Sequence, residues 1–113
     1  MDDLKNKECE VCRVGAPQVQ SEAMPGLFLQ VSEWELIEAK EVKKLQRTYE
    51  FNNFQEALLF TNKIGELAET EGHHPAILTE WGRVTVTWWT HKIKGLHLND
   101  FILAAKTDAL VLK

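Results

Sequence analysis

Residues 53–72 read NFQEALLFTNKIGELAETEG. Asn53 followed three positions later by Glu56 has the pattern of a capping box, in which two side chains satisfy backbone N–H groups that a helix start leaves without partners. Beyond it Phe54, Ala57, Leu58, Ile64, Leu67 and Ala68 recur at helical spacing, and Gly72 supplies a residue free to turn left-handed where the helix stops. The segment predicts one amphipathic helix, which needs an apolar surface to lie on.

The stretches on either side supply that surface. Upstream, Trp34-Glu35-Leu36-Ile37-Glu38 and Val42 to Phe51 have strand character. In the second, Leu45, Arg47, Tyr49 and Phe51 alternate with Lys44, Gln46, Thr48 and Glu50, which gives an antiparallel hairpin with one wet face. Downstream of Pro75, Ile77 to Trp81 and Val84 to Thr90 form a second strand pair joined tightly at Gly82-Arg83, with Val84, Val86 and Trp88 on one face. Gly95 marks a turn before Leu98, Ile102, Ala105, Ala109 and Leu112, the stripe of a closing helix. Ser21-Glu22 ahead of Met24, Leu27, Phe28 and Val31 opens a short first helix, which Pro25 and Gly26 restrict to about a few turns.

The order helix, two strands, helix, two strands, helix predicts an α+β fold. It is a two-layer sandwich, with a four-stranded antiparallel sheet and three helices on one face, because each helix has one apolar stripe and the sheet one apolar face. Residues 1–20 have no sustained apolar period and contain Gly15 and Pro17, so they read as an irregular arm ahead of a single domain over 21–113. Four strands leave two sheet edges, and pairing one of them with a second copy predicts a dimer.

Composition narrows the function classes. The 113 residues are 44% hydrophobic and 27% charged, ordinary for a globular domain, and the formal net charge of −4 disfavours a binder of nucleic-acid backbones. Charge-free stretches fall well short of the roughly 20 apolar residues that a membrane-spanning helix needs. With Cys9 and Cys12 side by side in the arm rather than spread as staples, the cytoplasm is the expected address. Cys9-Glu10-Val11-Cys12 is half of a zinc ribbon without a second half, and it lacks the strand-then-helix context of a redox pair. A pair of reduced thiols is the simpler reading.

The densest chemistry lies at Glu69-Thr70-Glu71-Gly72-His73-His74-Pro75, where two histidines follow the end of a helix and enter a turn fixed by proline. His91, at the end of the last strand, makes three of the chain's four histidines candidates for one site. A histidine gives and takes protons near neutrality, which suits an elimination needing acid and base together. The plainer alternative is that His73 and His74 cap the helix before them, and for either one alone it is the commoner role. A zinc site ranks lower, because neighbouring histidines diverge where zinc histidines usually sit four apart on one helix face. Asp100 stands in the first turn of the last helix, where a carboxylate is favoured by unpaired N–H groups, so helix stabilisation and catalysis weigh equally for it. Trp34, Trp81, Trp88 and Trp89 suit a core, an interface or a flat aromatic pocket.

Taken together, Glu69, His73-His74-Pro75, Trp81, Thr90-His91, Gly95-Leu96 and Asp100 resemble the pterin-4a-carbinolamine dehydratase family, also called 4a-hydroxytetrahydrobiopterin dehydratases. The likeness covers roughly residues 21–112, takes in Trp34 and Phe51-Asn52-Asn53-Phe54, and is closest to the bacterial branch, whose members can also carry a Cys-x-x-Cys arm. It implies the same two-layer fold, a dimer or a tetramer of dimers, and no metal or redox cofactor. It also implies catalytic roles for His73, His74 and His91, and a pterin site formed with Glu69, Pro75, Trp34, Thr90 and Asp100. The implied reaction removes water from 4a-hydroxytetrahydrobiopterin to give the quinonoid dihydropterin, recycling a cofactor of aromatic amino-acid hydroxylases. Animal relatives combine this activity with a dimerisation or transcriptional accessory role, which stands as the alternative function. Two positions depart from the family pattern: His97 replaces a frequent Ser or Thr at the last helix's cap, and Trp88-Trp89 before Thr90 is bulkier than in animal relatives.

Overall fold

The computed structural model describes residues 4–6, 24–93 and 95–111. Its elements run α1 (Met24–Gln30), β1 (Glu35–Ala39), β2 (Val42–Glu50), α2 (Phe54–Glu71), β3 (Ala76–Glu80), β4 (Arg83–Trp88) and α3 (Leu98–Val111), with short 3-10 turns at Leu4–Asn6 and His91–Ile93. The predicted order and class hold. One antiparallel sheet has strand order β1-β2-β4-β3, so the two hairpins meet along β2 and β4, and β1 and β3 form the edges.

Each hairpin is closed by its turn chemistry. Lys40 and Glu41, between paired Ala39 and Val42, both have positive φ (52° and 66°), the backbone that matches strand twist in a two-residue loop. In the second hairpin Gly82 takes φ 74°, and its carbonyl accepts from the Phe51 N–H at 2.8 Å, fastening the turn to the end of β2. A Cβ at Gly82 would meet the Phe51 carbonyl oxygen at 3.1 Å, so glycine is needed there for space as well as conformation.

The register Leu45↔Trp88, Arg47↔Val86, Tyr49↔Val84 sets the helix-facing side of the central strands. Leu45, Tyr49, Val84, Val86 and Trp88 are all buried there. Arg47, on the same side of β2, reaches Asp108 of α3 at 2.8 Å. The opposite side is lined by Gln46, Thr48, Thr85 and Thr87, with Gln46 Nε2 donating to Thr87 Oγ1 at 3.0 Å.

α2 begins as predicted. Asn53 Oδ1 accepts from the Glu56 N–H at 2.8 Å, while Glu56 Oε1 accepts from the Asn52 N–H at 3.1 Å. Its buried stripe is Ala57, Phe60, Ile64 and Ala68; the expected members Phe54 and Leu58 point outward, 45% and 44% exposed. The stripe differs from the expected one because Phe60 rather than Leu58 meets Tyr49 (ring centroids 4.7 Å).

α3 is covered almost all round. Asn99 to Ala105 and Thr107 are buried, packed between the sheet on one side and α1 with the Leu4–Asn6 turn on another. The expected single stripe understates this. Within the N-terminal arm, the described turn is tied down: Leu4 is buried and its N–H donates to Gln30 Oε1 at 2.8 Å. Cys9 and Cys12, and the predicted helix start at Ser21, lie outside the described residues.

Candidate active site

The end of α2 creates the first part of the site. Gly72 turns left-handed (φ 66°), and the N–H groups of Gly72 and His73 both go to the Ala68 carbonyl, the latter at 3.2 Å. The backbone of His73 therefore does the capping that its side chain was weighed for, and the ring is released to turn inward. There Nε2 of His73 lies 2.9 Å from Asp100 Oδ1 in a wholly buried pair. The imidazole also lies nearly parallel to the indole of Trp88, centroids 5.9 Å apart at 25°.

Asp100 gathers three elements. Besides His73, its carboxylate accepts from Thr90 Oγ1 at 2.8 Å and from the His97 N–H at 2.9 Å, both on Oδ2. A carboxylate without exposed surface is tolerated only when donors surround it, and these do so. Asp100 thus closes the first turn of α3 and holds the His73 ring.

Thr90 carries the second part of the site. Its N–H donates to the Gly95 carbonyl at 2.9 Å, which pins the loop leaving β4. His91 follows directly, exposed, with its ring against Trp89 (centroids 4.4 Å, 41°). The ammonium of Lys44 sits 4.0 Å from the same indole's centroid. Because Asp100 bonds both the ring of His73 and the hydroxyl of Thr90, the His73-His74 turn and the Thr90-His91 turn stand side by side.

His74 faces the other way from His73. Its Nε2 is paired with Glu69 Oε2, and both side chains are mostly exposed (61% and 79%). The two neighbouring rings therefore diverge, as their adjacency predicted, and are paired with different carboxylates. Among the described residues no group of three or more His, Cys, Asp and Glu side chains is placed to hold a metal ion. Pro75, half-buried, leads into β3.

Trp34 is placed elsewhere. It is buried against Tyr49, and its Nε1 donates at 3.0 Å to Asp108, two turns further along α3 than Asp100. Arg47 Nη1 and the Tyr49 hydroxyl donate to the same Asp108 oxygen. Burial first, and then the hydrogen bond to Asp108, push the Tyr49 hydroxyl well above the ordinary tyrosine range. Trp34 thus belongs to this second cluster and makes no described contact with the histidines. Lys44, which reads in sequence as an ordinary wet-face residue, is a contributor that carried little signal, whereas His97 stands at the last helix's cap as expected, its ring Nδ1 accepting from the Asn99 N–H at 3.0 Å.

The family described as pterin 4 alpha carbinolamine dehydratase matches residues 17–110. The chain belongs to that family. A protein of Nitrosococcus oceani is 62% identical over 111 residues, covering 98% of each chain. One of Syntrophotalea carbinolica is 60% identical over 111 residues, covering 98% of this chain and 99% of its own. Both are provisionally named pterin-4-alpha-carbinolamine dehydratase. Solved structures share the fold at lower identity. A transcriptional coactivator/pterin dehydratase from Brucella melitensis superposes with TM-score 0.74 at 24% identity, over 83% of this chain and 98% of that one. A pterin dehydratase-like protein identified as a RuBisCO assembly factor in the alpha-carboxysome gives 0.57 at 23%, over 67% and 88%. Of the residues that the resemblance points to, Glu69, His73, His74, Thr90, His91 and Asp100 lie around the ends of α2 and β4 and the start of α3.

Proposed function

We propose that the chain removes water from 4a-hydroxytetrahydrobiopterin or a close relative, giving the quinonoid dihydropterin by histidine acid–base catalysis. The observation that carries this reading is the buried Asp100 carboxylate bridging His73 and Thr90, which ties the His73-His74 turn to the Thr90-His91 turn. In the reaction the C4a–O bond breaks as the hydroxyl accepts a proton and leaves as water, while a pterin ring nitrogen gives up its proton. One proton enters and one leaves, and no electrons are exchanged. An acid and a base on one face of the ring suffice.

His73 and His91 are the proposed proton carriers. Asp100 orients His73 and stabilises it while it carries the extra proton, the service that a buried carboxylate renders to a catalytic histidine. Trp89 restricts the swing of the His91 ring. His74, paired with Glu69 at the surface, is proposed to hold the pterin, alongside Pro75 and Thr90. Trp34, buried on the Asp108 cluster, is assigned no part in holding the pterin. No cofactor is required beyond the pterin substrate, which an aromatic amino-acid hydroxylase would generate in the cytoplasm. No helix among the described residues is long and apolar enough to cross a membrane. Stopped-flow dehydration of a synthetic 4a-hydroxytetrahydropterin, run with a strong chelator present, tests the reading: the expected rate exceeds buffer and survives chelation.

A second reading, a dimerisation or transcriptional accessory protein, is favoured by one observation. Phe54, Leu58 and Leu59 stand 45%, 44% and 57% exposed on α2. A chain that binds a protein partner through them and does not accelerate dehydration would bear out this second reading.

A further inference from the structure

His97 takes no part in the reaction as described, yet it is one of the most enclosed polar side chains of the molecule, 2% exposed. It occupies the residue before α3, and its contacts form a reciprocal pair with Asp100. The His97 ring Nδ1 accepts from the Asn99 N–H at 3.0 Å, and Asp100 Oδ2 accepts from the His97 N–H at 2.9 Å. The Asp100 N–H returns to the His97 carbonyl at 3.0 Å. This is the logic of a capping box, with an imidazole standing where a hydroxyl or carboxamide usually serves. Since Nδ1 accepts an N–H, the ring is the neutral form with its proton on Nε2.

The pair does more than end a helix. The oxygen of Asp100 that receives the His97 N–H also receives Thr90 Oγ1, and the other oxygen receives His73 Nε2. The carboxylate's rotation about its own bonds is therefore fixed by the cap on one side and by the reaction's histidine on the other.

We propose that His97 is a positioning residue for the dehydration: as the cap of α3 it sets the Asp100 carboxylate, and through it the orientation of His73. This rests on the dehydratase reading above for its kinetic consequence, but its structural core is independent of it. Without the ring acceptor, the Asn99 N–H is left in a buried place without that partner, the first turn of α3 loosens, and Asp100 gains freedom that His73 inherits.

The test compares His97→Leu, which keeps bulk but offers no acceptor, with His97→Asn, which offers an oxygen suited to a helix cap. Two readouts are taken: steady-state dehydration kinetics, and the hydrogen-bonded ring N–H proton of His73 in long-range 1H–15N spectra. His97→Leu is expected to lower kcat by about 10-fold or more at a KM within about threefold of wild type, and to shift or broaden the His73 signal; His97→Asn is expected to restore both. Equal losses in the two variants, or a wild-type kcat and an unmoved His73 signal in His97→Leu, overturn the proposal. If His97→Leu does not fold, the wild-type spectrum decides: an unprotonated, hydrogen-bonded Nδ1 on His97 supports the cap, and a protonated Nδ1 overturns it. A wild-type chain without dehydratase activity would refute the functional reading alone, since the His73 signal still reports on the positioning.

Discussion

Asp100 Oδ1 and His73 Nε2 lie 2.9 Å apart where solvent reaches neither side chain appreciably. They come from elements 27 residues apart in sequence, the turn after α2 and the first turn of α3, so the contact joins the two helices at the point where chemistry is proposed. Replacing Asp100 by Asn keeps the shape and turns one acceptor into an NH2 group that faces donors. Asp100→Asn is expected to lower kcat by about 10²-fold, within the range that acid–base groups contribute. It should also lose about 1–3 kcal/mol of stability from buried donors left unpaired. Kinetics and chemical denaturation measure the two, and a variant unchanged in both would detach Asp100 from the site.

The Asp108 cluster gives a prediction in pH. Tyr49 is the only tyrosine of the chain, and its hydroxyl is held above the ordinary value of 10.0, first by burial and then by the bond to Asp108. A group whose folded value is raised keeps its contribution in full below its unfolded value and loses it as pH climbs beyond. Stability should therefore be insensitive to Tyr49 up to about pH 10, then fall by as much as about 1.4 kcal/mol per pH unit in wild type relative to Tyr49→Phe. Phenolate absorbance checks it directly: the single tyrosine should ionise only as the chain unfolds, and a normal titration of folded protein would contradict the assignment.

His74 and Glu69 are an exposed pair, worth about 0–1 kcal/mol to the fold. His74→Ala is expected to leave the melting temperature nearly unchanged while raising KM several-fold at a preserved kcat, because the ring is assigned to holding the pterin. A collapsed kcat at constant KM would exchange its part with that of His73.

Assembly follows from the sheet edges. Among the described residues β1 and β3 have no strand partner on their outer sides, and Leu78 on β3 is 58% exposed. A homodimer is expected, burying roughly 1,000 Å² or more in total. Light scattering at micromolar concentration should give twice the 13.0 kDa of one chain. A monomer mass maintained on dilution, with activity intact, would show that the edges are protected in another way.

The elements were legible where local chemistry is strong. Asn53 with Glu56 and Gly72 announced both ends of α2, and the alternation in Val84, Val86 and Trp88 announced the buried face of β4. What escaped was decided by tertiary contacts. Whether Leu58 or Phe60 faces the core depends on how α2 is rotated against Tyr49, which spacing alone leaves open. α3 showed one stripe because Asn99, Asp100 and Thr107 are polar; they are buried through hydrogen bonds that only the folded partners reveal. The histidine positions were visible in sequence, but the division between a buried His73 and an exposed His74 was not. It is settled by the backbone of His73 taking over the cap of α2 and freeing its ring to face Asp100. The resemblance groups Trp34 with the site, whereas the fold gives its indole N–H to Asp108.

Proton transfer by His73 and His91 is the central step of the proposed reaction. Stopped-flow dehydration of a 4a-hydroxytetrahydropterin should be clearly faster with the wild-type chain than in buffer. Each of His73→Ala and His91→Ala should slow it, with acid–base contributions of about 10²–10⁴-fold, and the double variant should approach the uncatalysed rate. Near-wild-type turnover in a folded double variant would contradict the central claim.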